Sequence, residues 1–164
     1  MSGRVTCIAA HPHIATTLYA GSASGGLWMS ENNGQNWSPL FQNEKVASIG
    51  AIAIDPNYPD IIYVGTGEGN PRNSQTSGYG LYKSYDGGQN WECIGLEQTR
   101  TIHRILINPE NTDEIYVGAT GSAWGDSPRG VFKTTDGGKN WTNTLYINDR
   151  TGAGDLVMDP NNPK

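Results

Sequence analysis

Short apolar runs that end in a polar residue and a proline recur along the chain. The four copies are IAAHP at 8–12, IAIDP at 52–56, ILINP at 105–109 and LVMDP at 156–160. Apolar runs of this length, bounded by turn residues, are typical of buried β-strands. The pattern therefore predicts four equivalent strands, each of which begins a repeated unit.

Three further strands are predicted within each of the first three units. The second is a β-branched and aromatic run that we expect to end in a turn at its glycine: LYAG at 18–21, IIYVG at 61–65 and EIYVG at 114–118. The third is GLWM at 26–29, GLYK at 80–83 or GVFK at 130–133, and the fourth starts at Trp37, Trp91 or Trp141. Four short strands in a repeat of about 50 residues indicate a β-propeller blade.

The turn before each fourth strand has a repeated sequence. It is SENNGQNW at 30–37, SYDGGQNW at 84–91 and TTDGGKNW at 134–141. An Asp or Asn can accept hydrogen bonds from the backbone N–H groups ahead of it, glycine permits positive φ, and the indole can donate to a backbone carbonyl. The residues predicted to build these turns are Ser30, Asn32, Gly34, Trp37, Ser84, Asp86, Gly88, Trp91, Thr134, Asp136, Gly138 and Trp141.

This S/T-x-D-x-G-x-x-W turn resembles the Asp-box, or bacterial neuraminidase repeat, of sialidases, xyloglucanase-like glycoside hydrolases and the sortilin ectodomain. With GTGEGNPRN at 65–73, the chain is most similar to secreted bacterial sortilin-like or "glycosyl hydrolase" repeat proteins. The resemblance implies an all-β β-propeller fragment with three four-stranded antiparallel blades and the first strand of a fourth. The expected boundaries are about 4–45, 46–98, 99–150 and 151–164.

Composition and charge exclude several classes of function. The 22 glycines, 9 prolines and low charged content of 16% suit short strands and tight turns. A net charge of −5 offers no general surface for nucleic acid, and no apolar run is long enough to span a membrane. Cys7 and Cys93 lack metal-ligand spacing, and each turn offers a single carboxylate, so no metal and no cofactor are expected. By resemblance the location is extracellular, periplasmic or cell-surface, although the chain as given has no signal peptide.

Three blades in an open arc would expose two apolar faces, so we expect further blades to close the ring. They could belong to the same chain or to another copy. The sequence at 159–164 matches the start of the second unit at 55–60, which favours a fragment of a longer propeller over a homo-oligomeric ring.

Up-and-down topology predicts that the loops between second and third strands share one end of the molecule with the inter-blade linkers. Long loops on a rigid scaffold favour binding there. Arginines at the innermost strand could bind a carboxylate or phosphate, or could instead pair with Glu68, Glu97 or Asp155 and brace the channel. An exposed indole could stack on a sugar or anchor a peptide, or could pack within its loop. The candidate ligand-binding residues are Glu68, Asn70, Arg72, Arg100, His103, Arg104, Trp124, Asp126 and Arg129.

These features predict a non-catalytic binding or scaffolding module that recognises a peptide, protein or glycan. The alternative is part of a sialidase- or xyloglucanase-like glycoside hydrolase whose active site needs further blades. Glycosidases require two carboxylates across the scissile bond, or a tyrosine nucleophile with an arginine cluster in sialidases. No spacing in this sequence brings such groups together, so no catalytic residue is assigned.

Overall fold

The computed structural model describes residues 3–70 and 75–163, which form three four-stranded antiparallel sheets. Each sheet is a meander in chain order, here called blade 1, blade 2 and blade 3. Blade 1 comprises β1 (Val5–Ala10), β2 (Leu18–Ser22), β3 (Leu27–Ser30) and β4 (Ser38–Pro39). Blade 2 comprises β5 (Ile49–Ile54), β6 (Ile62–Thr66), β7 (Leu81–Ser84) and β8 (Glu92–Cys93). Blade 3 comprises β9 (Ile102–Ile107), β10 (Ile115–Ala119), β11 (Gly130–Thr134) and β12 (Thr142–Leu145). One 3₁₀ turn, Glu97–Thr99, precedes β9.

The hydrophobic core lies between the blades. One cluster, which includes Leu27, Ile49 and Val64, fills the space between blades 1 and 2. A second, which includes Leu81 and Ile102, fills the space between blades 2 and 3. Because neighbours cover both faces of the middle blade, every residue of β6 is buried, as expected for a strand with no solvent face. No helix in the described ranges is long and apolar enough to cross a membrane.

The glycines of the second strands do not end those strands, contrary to the expectation from the sequence. Gly21, Gly65 and Gly118 lie inside β2, β6 and β10. A Cβ on Gly65 would lie 2.3 Å from Ile102 Cγ2, and one on Gly21 would lie 2.5 Å from the same atom of Ile49. These glycines therefore make room for an isoleucine from the inner strand of the next blade.

Residues 151–163 begin the fourth repeat but do not form a paired strand. The Ala153 N–H donates to the Ala119 carbonyl at 3.0 Å, and Leu156 packs 3.4 Å from the position of a Cβ on Gly118. The segment thus lies beside blade 3 where an inner strand of the next blade would lie. A ladder needs a second strand, and none in the described part of the chain is adjacent to this segment.

Side-chain hydrogen bonds close the three tryptophan-capped turns, Ser30–Trp37, Ser84–Trp91 and Thr134–Trp141. In the second turn, Ser84 Oγ accepts from the Gly88 N–H at 2.8 Å. Asp86 Oδ1 accepts from the Asn90 N–H at 2.9 Å, and Oδ2 accepts from Asn90 Nδ2 at 2.7 Å. The third turn repeats this pattern around Asp136. Asn32 has a single side-chain oxygen, which accepts from the Asn36 N–H at 2.9 Å, so the first turn lacks the second acceptor.

The indole N–H groups of two turns join neighbouring blades. Trp91 Nε1 donates to the Leu40 carbonyl at 3.1 Å, and Trp141 Nε1 donates to the Ile94 carbonyl at 2.9 Å. Each carbonyl belongs to the residue that directly follows the outermost strand of the preceding blade. Trp37, in blade 1, donates instead to Gly34 of its own turn at 3.0 Å. The sequence predicted a backbone carbonyl as the acceptor but did not indicate that it lies in another blade.

The carboxylates of Asp86 and Asp136 should make the free energy of unfolding depend on pH. Hydrogen bonds from Asn90, then from Ser84, lower the pKa of Asp86 from 3.8 to about 2, and Asn140 and Thr134 do the same for Asp136. A lowered folded-state pKa contributes stability that is present above the unfolded value and is lost as the pH falls from about 4 to about 2. We therefore expect the unfolding midpoint in urea to drop across this window. The double variant Asp86→Asn, Asp136→Asn should show a smaller drop, and an unchanged drop would contradict this role.

Candidate functional site

Loops and inter-blade linkers meet at one end of the molecule, here called the loop end. The N–H of Gly26, which follows the β2–β3 loop, donates to the Ala47 carbonyl at 2.8 Å. In the β6–β7 loop the Gly67 N–H donates to Ser48, and in the β10–β11 loop the Thr120 N–H donates to Thr101 at 3.1 Å. Because each loop is tied to a linker, the long loops around Glu68 and Trp124 lie at the same end.

The tryptophan-capped turns lie at the opposite end, here called the turn end. Each donates one backbone hydrogen bond to the connection between the first two strands of its own blade. The pairs are Asn33 to Thr16, Gly87 to Asp60 and Gly137 to Asp113. The loops of blades 2 and 3 at the loop end are longer than these connections, which favours the loop end as the place where a ligand binds.

A cavity of about 390 Å³ lies along the inner strands of all three blades. Gly50 and Ala51 of β5 line it, and Thr6 Oγ1 joins β1 to β5 by donating to the Ile49 carbonyl at 2.6 Å. We call it the channel cavity. Its lining is Thr6, Cys7, Ile8, Gly50, Ala51, Ile52, Gly69, Asn70, His103, Arg104, Ile105, Leu106, Gly154 and Asp155.

Arg104 and Asp155 form an ion pair at the channel cavity, with Nε and Oδ1 2.6 Å apart. The guanidinium lowers the pKa of the Asp155 carboxyl, and the carboxylate raises the pKa of Arg104. Both side chains are largely exposed, so water screens the pair and it adds little stability. The pairing with Asp155 is one of the bracing contacts that the sequence left open, and it neutralises the guanidinium locally.

His103 and Asn70 are two of the polar residues that line the channel cavity. The His103 ring packs directly over Gly69, where an added Cβ would lie 1.9 Å from the ring carbon Cδ2. The Asn70 carbonyl accepts from Gln75 Nε2 at 3.0 Å, which holds the loop backbone while the side chain lines the cavity. The two side chains can both donate and accept hydrogen bonds, which suits hydroxyl groups.

Glu68 lies below the surface of the loop end. Its side chain is 3% exposed and forms an ion pair with Arg4, at the start of blade 1. Its backbone N–H donates to the Thr76 carbonyl at 2.9 Å, within its own loop. The contact with Arg4 spans two blades, and nothing in the sequence around either residue indicated it.

Arg129 is 7% exposed and lies under the β10–β11 loop. Its guanidinium donates to the carbonyls of Ser122 at 3.1 Å, Gly125 at 3.5 Å and Ser127 at 3.4 Å. The structure therefore gives Arg129 a role in shaping the loop. Trp124 and Asp126, on the same loop, are exposed.

Of the remaining predicted residues, Arg100 lies outside the channel cavity. Arg100 precedes β9 with φ of 62° and does not line the channel cavity, so it is not on the inner strand as the sequence suggested. Its carbonyl accepts from the Gly78 N–H at 2.6 Å, which ties the linker to the β6–β7 loop. Arg72 falls outside the described residues.

Comparison with known proteins identifies relatives among xyloglucanases. No protein-family model matches the chain. The chain is 29% identical over 129 residues to an oligoxyloglucan-reducing end-specific xyloglucanase of Emericella nidulans, covering 71% of this chain and 15% of that protein. The chain thus spans a small part of the curated relatives it matches.

Superposition on solved structures of other proteins identifies the fold of this chain. An ancestral GH74 enzyme superposes with a TM-score of 0.79 and 23% identity over 99% of this chain and 21% of that one. YCF48 bound to D1 peptide superposes with a TM-score of 0.56 and 15% identity, over 85% of this chain and 39% of that one. The three sheets, each packed face to face on the next, are three consecutive blades of a β-propeller.

Proposed function

We propose that the chain is part of a xyloglucanase-like glycoside hydrolase and that its channel cavity binds a neutral, hydroxyl-rich glycan. The observation that carries this proposal is the meeting of His103, Asn70 and the Arg104–Asp155 pair along the inner strands. The similarity to oligoxyloglucan-reducing end-specific xyloglucanases supports the same ligand class.

The charge of the cavity favours a neutral ligand. A free arginine would attract a carboxylate or phosphate, but Arg104 is already paired with Asp155. A paired carboxylate and guanidinium can still accept from and donate to sugar hydroxyls at their free edges. Ile52, which is partly buried, lines the same cavity and can contact the apolar face of a sugar ring.

Hydrolysis would need groups beyond this arc. An inverting or retaining glycosidase uses one protonated and one ionised carboxyl group across the scissile bond. Asp155 is held ionised by Arg104, which fits a base or an electrostatic role and not the acid. We therefore propose that the arc supplies glycan contacts and that other blades of the propeller complete the catalytic pair.

We also propose how the turns, the blades and the rest of the propeller are organised. The tryptophan-capped turns are Asp-boxes, the blades divide at about 45, 98 and 150, and further blades close the ring. The protein acts outside the cytoplasm, where polysaccharide substrates are found.

A non-catalytic binding module is the second candidate. YCF48, which shares the fold, is described as bound to a peptide, and the exposed loop end of this chain could hold an extended segment in the same general way. This candidate predicts binding without turnover.

The test is binding and turnover of xyloglucan oligosaccharides with the 164-residue chain, measured by calorimetry and by release of reducing ends. We expect wild type to bind and the double variant Asn70→Ala, His103→Ala to bind about tenfold more weakly, equivalent to about 1.4 kcal/mol. The matched control, Asn57→Ala with Lys139→Ala at the turn end, should bind like wild type. Circular dichroism must show that all variants are folded.

The outcomes separate the candidates. Binding with reducing-end release by the chain, or by the chain joined to further blades, supports the hydrolase. Binding without release in either form supports the non-catalytic module. A folded wild-type chain that binds no xyloglucan oligosaccharide contradicts the proposed ligand.

A further inference from the structure

Trp124 differs from the other tryptophans in how its indole is used. Its side chain is 73% exposed, the highest exposure of any tryptophan in the described ranges. The other four indole N–H groups each donate to a backbone carbonyl, those of Gly25, Gly34, Leu40 and Ile94. Within the described part of the chain, the Trp124 indole N–H has no such acceptor. Folding therefore places this ring in solvent without using it for packing.

The loop that carries Trp124 is held in one shape. Arg129 binds three of its carbonyls from below, as described above. Ser127 Oγ accepts from the Ser122 N–H at 2.5 Å, and Ser122 Oγ accepts from the Trp124 N–H at 3.1 Å. An aromatic ring on a braced loop loses less conformational entropy on binding than one on a free loop.

The loop is attached beside the channel cavity. Thr120, at its start, donates to Thr101, which directly precedes β9 and its cavity-lining residues His103 and Arg104. Ala153, bonded to the last residue of β10, directly precedes the cavity-lining Gly154 and Asp155. The base of the Trp124 loop is therefore bonded to the segments that carry cavity-lining residues.

We propose that Trp124 is a stacking subsite for a pyranose ring of a glycan whose other end occupies the channel cavity. This inference rests on the proposed function. The flat indole can cover the apolar C–H face of a sugar, and its free N–H can donate to a ring substituent. The exposed Asp126, two residues away, offers a carboxylate that can accept from sugar hydroxyls.

The exposure of the ring favours a sugar over a protein partner. Aromatic anchors in protein interfaces are most effective in well-packed, desolvated pockets. Trp124 does not line the channel cavity, and the loop that carries it is polar. A single sugar ring can be stacked on such an isolated platform.

The experiment is a series of xyloglucan oligosaccharides of increasing length, with affinity measured by calorimetry for wild type, Trp124→Ala and Trp124→Phe. We expect Trp124→Ala to weaken binding of the long oligosaccharides about five- to tenfold and to leave the shortest binding oligosaccharide unchanged. Trp124→Phe, which keeps a smaller ring, should lie between. Trp37→Ala, which removes an exposed turn-end indole, is the matched control and should bind like wild type.

Two negative results have different meanings. If wild type binds oligosaccharides and Trp124→Ala binds every length equally well, the stacking subsite is wrong while the cavity proposal stands. If folded wild type binds none of them, the proposed function fails and the subsite fails with it. A peptide that competes with the long oligosaccharides and loses affinity on Trp124→Ala, while the oligosaccharides do not, would assign the ring to a protein partner.

Discussion

Replacing Gly50 by alanine is expected to lower the free energy of unfolding by about 3 kcal/mol or more. A Cβ at this position would lie 2.2 Å from the Ile102 carbonyl oxygen and 2.4 Å from the Gly67 carbonyl oxygen. Both obstacles are backbone, so no side chain can rotate away, and blades 2 and 3 would have to separate at their inner strands. Urea denaturation with a two-state fit measures the loss.

Gly154→Ala is the matched control for Gly50→Ala. Gly154 also lines the channel cavity, but no atom lies within 4 Å of the position that its Cβ would take. Its replacement should leave stability unchanged within about 0.5 kcal/mol. Equal stability of the two variants would show that the inner strands are not packed as tightly as described.

Trp91→Ala is expected to cost about 3 kcal/mol, because Trp91 both packs against and hydrogen-bonds the preceding blade. Its ring meets Phe41 edge to face with centroids 5.2 Å apart, and its N–H donates to Leu40. Trp37 occupies the same place in the first turn but is 38% exposed and bonds within its own turn. Trp37→Ala should therefore cost less than about 1 kcal/mol.

Trp91→Phe separates packing from hydrogen bonding. It keeps an aromatic ring against Phe41 and removes the N–H, so its cost should be about 1 kcal/mol, near that of one hydrogen bond. Chemical denaturation of the three variants gives the comparison. If Trp37→Ala and Trp91→Ala are equally destabilising, the tryptophans act within their own turns and do not join the blades.

The blades could be predicted from the sequence because their signals are local. In each tryptophan-capped turn, the end of the third strand, the positive-φ glycine and the Asp or Asn that closes the turn lie within eight residues of one another, as at Ser84–Trp91. Topology alone predicts that the long loops share one end of the molecule, since an up-and-down meander places alternate connections at opposite ends.

The contacts between blades could not be predicted, because they join residues that lie between 28 and 64 positions apart in the chain. The acceptors of Trp91 and Trp141, the isoleucines that fill the space above Gly21 and Gly65, and the pairing of Glu68 with Arg4 are all of this kind. The signal that the sequence did offer is the equivalence of positions in successive repeats. Had the glycines been compared with the isoleucine of the next repeat, their role as space for a neighbour could have been inferred.

The structure places the residues predicted for ligand binding in different surroundings. His103, Arg104 and Asn70 lie together at the channel cavity, whereas Arg129 is buried below its loop and Arg100 lies outside the cavity. A sequence names polar residues on loops, but it does not distinguish an arginine that braces a loop from one that faces a ligand. That difference depends on which carbonyls are nearby in the folded chain.

The most direct test of the glycan-binding proposal is a titration of the isotopically labelled chain with a long xyloglucan oligosaccharide, followed by amide chemical shifts. We expect the largest changes at Asn70, His103, Arg104 and Asp155, with smaller changes at Trp124. Changes concentrated at the turn end, for example around Asp60 and Asp113, or no changes in a folded chain, would contradict it.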